Sequence, residues 1–185
     1  MSSNQSHAQS TAESCLAMCL LRIAKLKISK RTEWQLFSFA LRFSKASFTL
    51  GHLEWISKRL RLAVTLDIGV TWYWRIVKAL PRSRRVNVRR SPVTLNTIAQ
   101  ALRQRPVIAY IDGFYLWKRI HYPHFIVIEA TVGSGVTIYD PWDGVRRTVS
   151  RSLVQRALNS LRFRLRMAPQ LIYIASRQSM PGRAQ

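Results

Sequence analysis

Apolar residues recur at helical spacing through the first third of the chain and then switch to strand spacing. Leu16, Leu20, Ile23 and Leu26, with Cys19 beside them, share one face of a 3.6-residue period opposite Arg22, Lys25 and Lys27, which predicts an amphipathic helix over 13–26. Residues 32–44 follow with Trp34, Phe37 and Leu41 on a broad apolar face. A third helix is expected to start after a Thr49 cap and run through Leu53, Ile56 and Leu60. Residues 63–77 are apolar and rich in β-formers but lack a clear period, and 82–90 reads as an Arg-rich connection. Thr94 is placed to cap a helix over 95–104 that stops before Pro106. Strands are expected over 106–111, 124–130 and 136–139, the last two as a hairpin turning at Gly133, Ser134 and Gly135. A further strand over 145–149, a helix capped by Ser150 that reaches Leu161, and a closing strand over 170–175 complete the pattern.

Helices lead and strands follow. That segregation predicts an α+β architecture, with N-terminal helices packed on a mainly antiparallel sheet rather than alternating parallel βαβ units. A chain of 185 residues can bury one sizeable core, so one domain is expected over 9–176, between flexible tails at 1–8 and 177–185. Hydrophobic residues make up 48% of the chain, which excludes a disordered polyelectrolyte. The longest apolar windows, 68–74 and 125–128, fall far short of the ~20 residues of a membrane-spanning helix. The polar N-terminus lacks the basic opening of a secretory signal, so the cytoplasm is the expected compartment.

Thirty basic residues against eight acidic ones give a net charge of +22, which favours anionic partners. Arg82, Arg84, Arg85, Arg89 and Arg90 form one cluster able to engage nucleic acid or another polyanion. Arg146, Arg147, Arg151, Arg156, Arg162, Arg164 and Arg166 form a second. Trp72, Trp74 and Trp142 lie near these runs, where they would either stack on bases or pack in the core. Arginine is equally a solubilising surface residue, so charge alone names no chemistry. Two cysteines and four scattered histidines lack the paired spacing of zinc sites, and no metal or cofactor is expected.

Both cysteines sit in one short stretch, AQSTAESCLAMC, at helical i, i+4 spacing that is unsuited to a disulfide. If Ser14 is the N-cap, Cys15 falls in the first turn, where unpaired N–H groups and the positive helix end favour a thiolate. If Ser10 and Glu13 form a capping box instead, Cys15 lies deeper and is less activated. His124 opens the strand HFIVIEA and Asp140 closes VTIYD before Pro141, and a hairpin turned at 133–135 brings them toward the same end. A thiol, an imidazole and a carboxylate in that order suit nucleophile, base and orienter. Taken singly, each has a structural reading: Cys15 as a small buried hydrophobe, His124 as an edge histidine, Asp140–Pro141 as a turn.

These residues carry a resemblance. QSTAESCLAMC, RPVIAYIDGFYLWKRIHYPHFIVIEA and VTIYDPWDG resemble the opening, histidine and aspartate segments of papain-like cysteine peptidases of the bacteriocin-processing, double-glycine-leader family and its stand-alone relatives. The resemblance spans roughly 9–174, with 30–90 matching only in helical character. It implies a papain-like fold, Gln9 as oxyanion donor, Cys15 as nucleophile, His124 as base and Asp140 as orienter, with Asp143 a weaker substitute. Leu16 stands where relatives usually carry Gly, and cleavage after a Gly-Gly leader is not implied. The expected activity is thiol hydrolysis of a peptide or protein substrate, which an acidic sequence would bring to the positive surface. An acyl transferase, or a peptidase-fold module that only binds polyanions, is the alternative.

Overall fold

Among the described residues, seven strands form a single sheet in the spatial order β2 (Val86–Arg90), β1 (Val64–Ile68), β7 (Gln170–Ile174), β3 (Val107–Asp112), β4 (Pro123–Val132), β5 (Gly135–Asp140) and β6 (Val145–Ser150). Every neighbouring pair is antiparallel except β1 and β2, which are parallel. The helices are α1 (Cys15–Ile23), α2 (Lys30–Ala40), α3 (Phe48–Leu60), α4 (Thr71–Ala79), α5 (Leu95–Leu102), α6 (Phe114–Trp117) and α7 (Arg151–Phe163). This computed structural model describes residues 8–11, 13–43 and 48–174. The tails expected at 1–8 and 177–185 lie outside them, apart from Ala8. No helix among the described residues is long and apolar enough to cross a membrane.

The α+β class and the mainly antiparallel sheet follow the sequence pattern, with several corrections. Residues 63–77 divide into strand β1 and most of helix α4, and the Arg-rich connection becomes the edge strand β2. Together they make one parallel βαβ unit, which the helices-then-strands reading excluded. Thr49 lies inside α3 rather than capping it. Helix α2 starts before Thr32 because Ser29 caps it in a reciprocal capping box with Thr32. Helix α1 ends at Ile23, short of Leu26, as the chain turns through Lys25 at φ 54°. The caps at Thr94 and Ser150 form as expected, each hydroxyl accepting the N–H three residues on.

Strands β3 and β4 are buried on both faces, which explains their nearly unbroken apolar runs. On one face, Tyr110, Phe125 and Val127 join Leu16, Cys19 and Leu20 of α1, Leu36 of α2, and Leu53 and Ile56 of α3. On the other, Ala109, Ile111, Ile126 and Ile128 pack on Ile98 of α5 and on Val154, Ala157 and Leu158 of α7. Helices therefore cover both sides of the sheet, not only the N-terminal side.

The β4–β5 hairpin turns at Gly133, which takes φ +53°. A bulge between Ile128 and Ala130 shifts its register by one residue, from Ala130 opposite Thr137 to Ile128 opposite Ile138 and Val127 opposite Tyr139. Continued by one position, the shifted register sets Asp140 across from Ile126. In strand alternation Ile126 shares a face with His124. Without the bulge, Asp140 would fall across from Val127, out of phase with His124.

Helix α3 approaches α2 closely at Gly51, where an added Cβ would meet Phe43 Cδ2 at 2.7 Å and the Ala40 Cα at 2.9 Å. Gly51→Ala gains about 1 kcal/mol of helix propensity but presses on backbone that cannot swing aside. A net loss of about 1–2 kcal/mol is expected from overpacking, read as a lower urea midpoint with unchanged slope; a variant as stable as the parent would contradict this packing.

Candidate active site

Helix α1 opens at Cys15, with Ser14 as the residue before it. Of the two registers the sequence allowed, the shallower one is realised: the Ser14 hydroxyl makes no capping bond, and Ser10 bonds to Glu33 rather than boxing with Glu13. Cys15 is only 6% exposed, yet it lines a cleft of about 510 Å³ walled by Leu16, Phe48, Tyr110, Tyr122 and Phe125. The Leu16 side chain is buried in the core beneath this cleft. Cys19 lies one turn on, fully buried, with its thiol against the Phe125 carbonyl at 3.4 Å. Burial above all, and then Cys15 and Asp140, push the Cys19 thiol well above its usual range.

His124 and Asp140 meet in the interior, both fully buried, with His124 Nε2 2.9 Å from Asp140 Oδ1. The Asp140 carboxyl also accepts the Trp142 backbone N–H on Oδ1 and the Trp117 Nε1–H on Oδ2, each at 2.9 Å. The Trp117 ring covers the imidazole edge-on, with 4.6 Å between ring centroids. Burial alone would raise the Asp140 carboxyl, but the bonds from His124, Trp142 and Trp117 overcome it and hold the group below the ordinary range. Burial alone would likewise lower the imidazole. Asp140 first, and then Cys15, reverse that and raise His124 from 6.5 to about 9. Cys15 is therefore close enough to act on the imidazole, while the buried Nδ1 makes no hydrogen bond. Catalytic hydrogen bonds of this kind often tighten only once substrate binds.

Gln9 joins the site through its backbone, whose N–H donates to the Pro141 carbonyl at 2.8 Å, next to Asp140. Both polar atoms of its side-chain amide are buried without a hydrogen-bond partner. Asp143 is turned away onto Arg147 and the Val145 N–H, so Asp140 is the carboxylate at the imidazole.

Trp117 was not legible as a site residue. It arrives at the end of the short helix α6, in the connection between β3 and β4, whose base is pinned by fully buried Asp112. Asp112 Oδ2 takes His121 Nδ1 and the Ser160 hydroxyl, each at 2.6 Å, and Oδ1 takes the Phe114 N–H. Gly113 makes room, since a Cβ there would strike the Trp117 ring. The one local signal for this arrangement is the Gly113 step before the aromatic run.

Among the Arg residues of the two clusters, four are engaged within the fold: Arg89 pairs with Asp67 at 2.7 Å, Arg82 donates to the Lys78 and Leu80 carbonyls, Arg146 pairs with Glu129 at 2.6 Å, and Arg147 pairs with Asp143. Arg84, Arg85 and Arg90 are exposed on or beside edge strand β2. Of the tryptophans, Trp72 is exposed, Trp74 packs against the core under Lys78, and Trp142 lies against Trp117 with 5.1 Å between centroids. No family model matches the chain, and no curated protein matches it.

A His raised above its unfolded value contributes stability that is full below pH 6.5 and is lost as pH rises through about 9. The lowered Asp140 contributes above its ordinary 3.8 and loses that contribution as pH falls through its folded value. An NMR titration of the His124 imidazole should therefore show a midpoint near 9, falling in Asp140→Asn. A midpoint at the free-histidine value in both proteins would refute the coupling.

Proposed function

We propose that the chain is a thiol hydrolase on a papain-like scaffold, most simply a peptidase, with Cys15 as nucleophile, His124 as its proton partner, Asp140 as orienter and Gln9 as oxyanion donor. The observation that carries this reading is the buried bond from His124 Nε2 to Asp140, which leaves Nδ1 unbonded and available to Cys15, the one thiol that opens a helix and lines a cleft. In the first step the Cys15 proton resides on His124 and the sulfur attacks a carbonyl carbon. The resulting oxyanion is met by the Gln9 amide and the Cys15 N–H at the start of α1. Collapse of this adduct breaks the bond to the leaving amine, which takes the proton from His124, and a thioester remains. Water then attacks the thioester as His124 accepts its proton, and the released thiol completes the cycle. An amine in place of water would make the same site an acyl transferase.

Cys15 should react with iodoacetamide near neutral pH in preference to Cys19. A p-nitrophenyl ester should release one burst equivalent of nitrophenolate, absent in Cys15→Ala. His124→Ala should slow the burst by roughly 10²–10⁴-fold. Slow, equal labelling of both cysteines, or a burst that survives Cys15→Ala, would remove the hydrolase reading.

A second reading, anion binding, is favoured by the use of the acidic residues. Seven of the eight are tied into ion pairs or hydrogen bonds within the fold, leaving Glu13 at the cleft mouth. The exposed charges are therefore mostly cationic. Fluorescence anisotropy of a labelled single-stranded oligonucleotide should show affinity falling roughly 20- to 300-fold from 50 to 200 mM salt, if about three to six phosphates are contacted. Salt-independent binding, or none at low salt, would leave the charge as solvated surface.

A further inference from the structure

The six-residue step from Gln9 to Cys15 is spanned by a carboxyl group from another helix. Glu33 lies in the first turn of α2 and is only 2% exposed. Its Oε1 accepts the Ser10 backbone N–H at 2.7 Å and the Ser14 hydroxyl, and its Oε2 accepts the Ser10 hydroxyl at 2.7 Å. Ser10 follows Gln9 directly and Ser14 precedes Cys15 directly. One carboxyl group thus grips both ends of the loop that joins the oxyanion donor to the nucleophile. The Ser14 hydroxyl also donates to the Thr11 carbonyl at 3.0 Å, which tightens the same turn.

The Gln9 amide is buried with no partner of its own. Its aim is therefore set by the backbone on either side, on one side by the bond from its N–H to the Pro141 carbonyl and on the other by Ser10. Burying a carboxyl group is costly, and apolar side chains of the same size would hold two helices together at least as well. Hydroxyl and N–H donors from this one loop offset that cost. What they gain beyond adhesion is a fixed loop geometry, the commodity an oxyanion site needs.

We propose that Glu33 is a positioning residue for the oxyanion site. Through Ser10 and Ser14 it fixes where the Gln9 amide stands relative to the Cys15 sulfur. This rests on the thiol-acylation reading above and adds a role to a residue outside the Cys–His–Asp set.

Two reactions of Cys15 separate positioning from mere stability. Alkylation by iodoacetamide forms a C–S bond as the C–I bond breaks and iodide leaves, with no oxyanion. Acylation by a p-nitrophenyl ester forms a C–S bond to the carbonyl carbon through an oxyanion, after which the C–O bond breaks and p-nitrophenolate leaves. In Glu33→Gln the ester burst should slow by roughly tenfold or more, because small misplacements cost large factors, while alkylation stays within about twofold of the parent. In a Gln9→Ala background, Glu33→Gln should slow the burst no further, since both changes disable one device. Ser10→Ala, which keeps the backbone bond and removes one hydroxyl, should show the same selective loss to a smaller degree, and it serves where Glu33→Gln does not fold. An unchanged burst in a folded Glu33 or Ser10 variant would overturn the proposal. So would equal losses in both reactions, or a full further loss in the Gln9→Ala background. If the parent protein gives no burst at all, the acylation reading fails first and this proposal falls with it.

Discussion

A single bond in the dark interior, from the His124 imidazole to the Asp140 carboxylate, is what the surrounding structure is arranged to keep. Removing two such groups from water costs several kcal/mol each when nothing replaces the lost hydration. The replacement comes from three directions: the Trp142 backbone N–H, the Trp117 indole, and the imidazole itself. Each source needs support. Trp117 is held because Asp112 fastens the base of its loop to His121 and to Ser160 of α7. The carboxylate meets the imidazole in phase because one residue is bulged out of β4. Helices on both faces seal the sheet from water, so a bond that would be weak at the surface dominates here.

Period and spacing carried much of this. The presence of helix α1, although it is buried all round from Cys15 to Leu21 rather than along one stripe, the caps at Thr94 and Ser150, and the hairpin ending near His124 and Asp140 are local or nearly local features, and such features are written in short windows. What was illegible has a different physical origin. Strand β1 and helix α4 share one stretch of apolar and aromatic residues because β1 is buried within the sheet while α4 sets buried Val77 and half-buried Tyr73 and Trp74 beside exposed Trp72 and Ile76, so neither shows a clean period. Strand β2 hides under its arginines: only Val86 and Val88 point inward, and five residues of alternation are easily read as a basic loop. Trp117 and Glu33 serve the site from 23 residues away in sequence, Trp117 from Asp140 and Glu33 from Ser10. No window of sequence records a meeting that only the topology brings about.

The acidic residues are few, and the fold spends them inside. Asp67 holds Arg89 between two strands, Glu129 gathers Arg22 and Arg146 over the hairpin, Glu54 takes the Ser83 N–H, and Glu33 braces the loop before α1. Their scarcity on the surface is thus a result of where architecture needs acceptors as much as of how many the chain encodes. The large positive charge is the complement of that internal use.

The sheet is open, and it stops at β2 on one side and β6 on the other. Both terminal strands carry adjacent arginines, Arg89 and Arg90 in the first, Arg146 and Arg147 in the second. An unpaired strand edge is a template on which another chain can zip, and two such edges on one molecule are the geometry of a growing fibril. Arg89, Arg146 and Arg147 are answered by acidic partners within the fold, but a molecule with a net charge of +22 still meets an identical copy with net repulsion at either rim. The net positive charge therefore acts as an end-stop: it lets a sheet with two free margins remain a finite object, whatever else that charge attracts.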